Sequence, residues 1–140
     1  MEKDLNRFLR AQEGIYDRAL AEIKLGRKSG HWMWYIFPQF KGLGYSEMSK
    51  KYAINDIDEA KDYLNHPILG TRLKEISNEL LKLEQSDADK ILGSIDSMKL
   101  KSCMTLFGAA DKSNAEVFIK VIDKFFSGKF DEKTLSLIKS

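Results

Sequence analysis

His31-Trp32-Met33-Trp34-Tyr35-Ile36-Phe37-Pro38 is the stretch on which the fold class turns. An apolar run this short suits a buried strand or a short helix equally well, because periodicity cannot separate the two over so few residues. A strand, however, needs a partner, and no second convincing strand stands elsewhere in the chain. The run therefore reads as a helical turn stopped by Pro38, and the chain as all-α.

The flanking segments support this reading. Over residues 4–25, Leu5, Phe8, Leu9, Ile15, Tyr16, Leu20 and Ile23 recur at three- and four-residue steps, which predicts one helix started by Asp4 and stopped by Gly26. Ser46 with Glu47 predicts a capped short helix to about Ala53, and Asp56 caps another ending at Asn65. His66-Pro67 opens a longer helix with Pro67 in its first position and a stripe of Leu69, Leu73, Ile76, Leu80 and Leu83. Gly70 lies inside it, where it costs helix propensity and permits close packing. Further helices follow over 86–93, 96–110, 114–127 (with Gly128 as the stop) and 131–139. The expectation is a compact single-domain bundle over 1–140, of about seven or eight helices joined by short loops.

Composition narrows the function classes. The 140 residues are 43% hydrophobic and 31% charged, as in a soluble globular protein. The 23 basic and 21 acidic residues intersperse to a net charge of +2, which gives no electrostatic case for a membrane or nucleic-acid partner. Lys50, Lys51, Lys99 and Lys101 are too few to change that. A single cysteine, Cys103, excludes an intrachain disulfide and a cysteine-based zinc site, and His31 and His66 stand far apart without a metal-binding motif. No metal or cofactor is expected, and no Gly-x-Ser-x-Gly elbow marks a hydrolase. Residues 1–7 lack the apolar core of a signal peptide, and the longest apolar run falls far short of the ~20 residues that span a bilayer. A cytoplasmic protein is the expectation.

The aromatic block is also the candidate site. It carries two indole N–H groups, a phenol and an imidazole that all need partners when buried. On a helical turn His31, Trp34 and Tyr35 share a face, while Trp32 points into the core. The loop Lys41-Gly42-Leu43-Gly44-Tyr45-Ser46 follows, and its glycines let backbone N–H groups turn toward an anion, with Lys41 and Ser46 beside them. It has neither the Walker nor the dinucleotide-binding spacing. Gln12, on the buried side one turn before Tyr16, also needs a partner or a pocket. The expected site gathers Gln12, Tyr16, His31, Trp34, Gln39, Lys41, Gly42, Gly44, Ser46 and Arg72 around a small phosphate-bearing or nucleotide-like molecule. If the chain is an enzyme, the reaction is glycosidic or phosphoester cleavage of a nucleotide or ADP-ribose-type substrate, with His31 as acid and base. The alternative is a non-catalytic domain whose polar–aromatic surface docks another protein. Ser102 and Thr105, polar members of an apolar helix, are either back-bonded hydroxyls or pocket residues.

Several blocks carry a family resemblance. They are Arg7-Phe8 with Ala11-Gln12 and Tyr16, His31 through Gln39, Gly42-Leu43-Gly44-Tyr45-Ser46, Tyr52-Ala53-Ile54, His66 through Leu73, and Lys99 through Phe107, with Cys103 where serine is usual. Together they resemble a family of small bacterial proteins classed as a domain of unknown function and sometimes labelled "calpastatin". The resemblance implies an all-α fold and transfers no catalytic role. A chain of amphipathic helices around an aromatic core is physically unlike the flexible inhibitor whose name that label borrows.

These readings converge on His31→Ala. If His31 serves a site, the substitution abolishes ligand binding and leaves the melting temperature in place. If His31 is structural, it lowers stability by about 1–3 kcal/mol through buried partners left unsatisfied.

Overall fold

Caps and glycines set the helix boundaries in the computed structural model, which describes residues 4–139. The predicted helix over 4–25 is two helices, α1 (Asn6–Gln12) and α2 (Tyr16–Leu25). Gly14 breaks it by adopting φ +72°, a left-handed conformation open to glycine at little cost. The break re-aims the chain, so that α1 packs on α3 and α2 packs on α6. Gly26, at φ +76°, closes α2 as its position predicts.

The aromatic block forms α3 (Met33–Ile36), a single turn with Ile36 N–H donating to Trp32 O at 3.1 Å. Ser46 caps α4 (Glu47–Lys51) by accepting from Ser49 N–H at 3.1 Å, and Asp56 caps α5 (Ile57–Asn65) by accepting from Glu59 N–H at 2.7 Å. The long helix α6 spans Leu69–Lys82. Its start departs from expectation, because Pro67 lies in the turn before it. His66 Nδ1 accepts from Ile68 N–H at 3.1 Å and Leu69 N–H at 3.2 Å and so does the capping itself. Asp87 caps α7 (Ala88–Leu92), and α8 (Ser94–Ala110) begins directly after Gly93. A 3₁₀ turn (Lys112–Asn114) leads into α9 (Glu116–Phe126), and α10 (Glu132–Lys139) closes the described chain. Among the described residues ten α-helices thus stand where about seven or eight were expected. The excess comes from the break at Gly14 and from α3, the single turn of the aromatic block.

The class is all-α. Among the described residues, β-type pairing is confined to an isolated parallel bridge between Phe40 and Ile54. The core is one continuous cluster around α8, whose Leu100, Cys103, Met104, Leu106, Phe107 and Ala110 are all buried. Rings run through it from Phe8 to Tyr63 (5.1 Å), Tyr63 to Phe107 (5.3 Å) and Phe107 to Phe118 (6.0 Å). Two hydroxyls of α8, those of Ser102 and Thr105, are structural. Ser102 Oγ lies 2.9 Å from Thr134 Oγ1, and Thr105 Oγ1 donates to Lys101 O while accepting from Asp131 N–H at 2.9 Å, which fixes α10. Burial pushes the Cys103 thiol well up, so it is an inert core residue. No helix among the described residues is long and apolar enough to cross a membrane.

Gly70 explains how α5 and α6 approach each other. A Cβ there would lie 2.0 Å from Leu64 O, a backbone atom with no freedom to yield. Gly70→Ala is therefore expected to destabilise by about 3 kcal/mol despite its better helix propensity. The check is the midpoint of urea unfolding against wild type, and an unchanged midpoint contradicts the packing argument.

Candidate functional site

Two carboxylates frame the site, Glu22 half-buried and Glu59 buried. Glu22 Oε1 accepts from Ser29 N–H (2.7 Å), Gly30 N–H (2.9 Å) and Trp32 Nε1–H (3.0 Å), so it folds the 28–32 segment around itself and satisfies the buried indole. Burial alone would raise its pKa, but these hydrogen bonds outweigh burial and hold the carboxyl below its ordinary value. Lys28 lies 5.0 Å over the Trp32 ring and pairs with Asp96 at 2.9 Å, which ties the segment to α8.

The second carboxylate, Glu59, is 2% exposed and accepts from Arg7 Nη2 (3.1 Å), Asn55 N–H (3.0 Å) and Asn55 Nδ2 (3.2 Å). Arg7 also donates to Lys51 O (2.8 Å) and Ala53 O (2.7 Å). Residues 51–55 are thereby fixed. Ile54 in turn fixes the preceding loop, since Lys41 N–H donates to Ile54 O and Ile54 N–H to Gln39 O, both at 2.9 Å.

Between this backing and α3 lies a small cleft of about 90 Å³. Trp34, half-buried, is one wall, and the opposite side carries Gln39, Lys41, Gly42, Gly44, Lys50 and Asn55. Its glycines are needed for different reasons. Gly42 sits at φ +101°, and a Cβ on Gly44 would lie 2.5 Å from Ser49 Oγ. The cleft is cationic, with two lysines and no carboxylate in its lining. Among the described residues, the N–H groups of Gly42, Leu43 and Gly44 donate to no protein acceptor. Lys99 Nζ stands 4.9 Å from the Trp34 ring.

The structure thus brings together five of the residues expected at the site, namely Trp34, Gln39, Lys41, Gly42 and Gly44. Ser46 is adjacent, with its hydroxyl engaged by Ser49 N–H and donated to Ser49 Oγ at 2.9 Å. His31 stands apart. It is exposed, its imidazole makes no hydrogen bond among the described residues, and it borders two other clefts, one of them lined also by Trp34, Lys28, Ser94 and Asp96. Gln12, Tyr16 and Arg72 form a separate polar network. Gln12 Nε2 donates to Tyr35 O (2.8 Å) and Tyr63 OH (3.1 Å), and Arg72 Nη1 donates to Gln12 Oε1 (3.2 Å). Arg72 lies 5.0 Å over the Tyr16 ring, whose hydroxyl donates to Arg72 O and Glu75. Burial, and then the Glu75 contact, raise the Tyr16 phenol far above its ordinary range. The network joins α1, α2, α3, α5 and α6, so Gln12 is met by partners inside the fold.

Sequence reasoning did not pick out Lys50 as a cleft residue, nor Asn55 at all. Lys50 was visible as half of a lysine pair, whereas Asn55 carries no local signal, because its place depends on Glu59. Among the described residues, no group of three His, Cys, Asp or Glu side chains is placed to hold a metal ion.

An all-α domain with a cationic, tryptophan-walled cleft edged by a Gly-Leu-Gly loop is the class that this fold and site define. The profile of the family described as "Protein of unknown function (DUF1810)" matches residues 2–138, and the chain belongs to that family. It is similar to the conserved hypothetical protein Rv1873 from Mycobacterium tuberculosis, known from a crystal structure. The two share 39% identity over 98% of this chain and 97% of that one, with a TM-score of 0.95. No curated protein matches the chain.

Two outcomes are expected from these environments. His31→Ala leaves thermal stability within about 0.5 kcal/mol of wild type, as for an exposed residue without partners. Glu22 has a depressed folded-state pKa, so its contribution is present above the ordinary value of 4.5 and is lost as pH falls through the lower folded value. Urea titrations at several pH values should therefore show Glu22→Gln less stable than wild type near neutrality, with the gap narrowing below that value.

Proposed function

We propose that the chain binds a small phosphate-bearing, nucleotide-like molecule in the Trp34 cleft. The observation that carries the reading is the run of three unpartnered N–H groups at Gly42, Leu43 and Gly44, beside Lys41 and Lys50 and with no acid in the lining. Successive backbone donors in a turn make an anion-binding concavity, and charge-assisted hydrogen bonds from lysine strengthen it. The indole of Trp34 offers an apolar face for the flat or ring part of such a molecule. At about 90 Å³ the cleft is small beside the ~300–1,000 Å³ of whole-ligand pockets, which suits an anionic group with the remainder of the molecule outside.

The reading is one of binding. A hydrolytic role needs an acid or base at the reacting bond, and His31 does not line this cleft. The test is a thermal-shift series with inorganic phosphate, AMP and ADP-ribose. A ligand at about one hundred times its Kd stabilises by about 2.7 kcal/mol, a rise of several degrees. That rise is expected in wild type and lost in the Lys41→Ala/Lys50→Ala double variant at the same ligand concentration. No shift with any of the three sinks the proposal and turns attention to a protein partner.

A further inference from the structure

We infer that the molecule bound here is a sugar phosphate that straddles Trp34, with its phosphate at the Gly42–Gly44 loop and its sugar in the neighbouring cleft beside His31. The inference rests on the phosphate reading above and specifies the rest of the ligand. Trp34 is the shared wall, bordering both the loop cleft and the one lined by Lys28, His31, Ser94 and Asp96. The two differ in capacity, about 90 Å³ against about 320 Å³, so the larger part of a ligand whose anionic end occupies the first has its room in the second.

The chemistry of the second cleft selects among occupants. The His31 imidazole and the Ser94 hydroxyl have no protein partner among the described residues, and each can both donate and accept. Asp96, paired with Lys28 at 2.9 Å and with Lys99 at 3.6 Å, presents its carboxylate at the edge as a further acceptor, and Met33, Leu92 and the indole supply apolar surface. A second phosphate is a poor occupant. Lys28 is the one lysine or arginine in the lining, and it is already paired with Asp96 at 2.9 Å. An alkyl chain is also poor, because it would strip water from the imidazole, hydroxyl and carboxylate and return no hydrogen bond. A sugar ring matches both demands, with C–H groups against the indole and hydroxyls toward His31, Ser94 and Asp96.

Titration calorimetry with inorganic phosphate, propyl phosphate and ribose 5-phosphate tests this, on wild type, His31→Ala and Ser94→Ala. Both substituted residues are exposed, so the variants are expected to fold. The expected result is that ribose 5-phosphate binds wild type at least tenfold more tightly than either of the other two. That advantage should shrink to under threefold in His31→Ala and fall measurably in Ser94→Ala, while inorganic phosphate binds all three proteins alike. Equal affinity for propyl phosphate and ribose 5-phosphate, or an advantage untouched by His31→Ala, overturns the straddling ligand while leaving the phosphate cleft standing. Failure of wild type to bind inorganic phosphate and ribose 5-phosphate overturns both readings together.

Discussion

The Arg7–Glu59 pair is the interaction from which the candidate cleft is assembled. Glu59 is carried by α5 and Arg7 by α1, and between them they hold residues 51–55, a segment with no regular structure of its own beyond the end of α4. Burying a carboxylate is tolerable only with a counter-charge and further donors. Glu59 has both, from Arg7 and from two groups of Asn55. Once Ala53 and Asn55 are fixed, Ile54 can present its backbone to Gln39 and Lys41, and the glycine loop is anchored at its first residues. The glycine-loop amides therefore owe their position to a charge pair formed in the interior.

A similar arrangement holds on the other side of α3. Glu22 organises residues 29–32 through three donors on one oxygen, and Lys28 and Asp96 carry that order across to α8. The aromatic block is thus held from two directions, with Trp32 in the core and Trp34 at the surface. Neither carboxylate is part of the cleft. Glu59 is buried, where low exposure strengthens the hydrogen bonds that keep the loop in shape, and Glu22 is half-buried beside His31 and Trp32.

Much of the fold was legible because its punctuation is local. Ser46 and Asp56 cap the helices they were expected to cap, and Gly26 ends α2 in a left-handed turn. The break at Gly14 was not legible, because a glycine between two amphipathic stretches with compatible phase leaves the periodicity nearly intact, and only its backbone angle reveals the break. His66 stands at the helix N-terminus as its place before Pro67 suggests, but its ring nitrogen makes the cap, and Pro67 lies in the turn instead of the first helical position. The site divides along the same line. Trp34, Gln39 and the glycine loop are close in sequence and stayed together. Gln12, Tyr16 and Arg72 were grouped with them, Gln12 as a polar residue needing a partner, and the three meet one another across sequence distances that no local pattern encodes. Asn55 escaped notice for the same reason.

The placement of the two tryptophans has an optical consequence. Trp32 is 2% exposed, its indole N–H is bound to a carboxylate, and a lysine ammonium stands over its ring. Its emission should be fixed by the fold and indifferent to events at the surface. Trp34 lies half in water between two clefts with the Lys99 ammonium near its face, so its excited-state dipole senses whatever displaces solvent there. The protein therefore contains a reference fluorophore and a sensing fluorophore two residues apart, and the ratio of their contributions reports the state of the aromatic wall without any attached label.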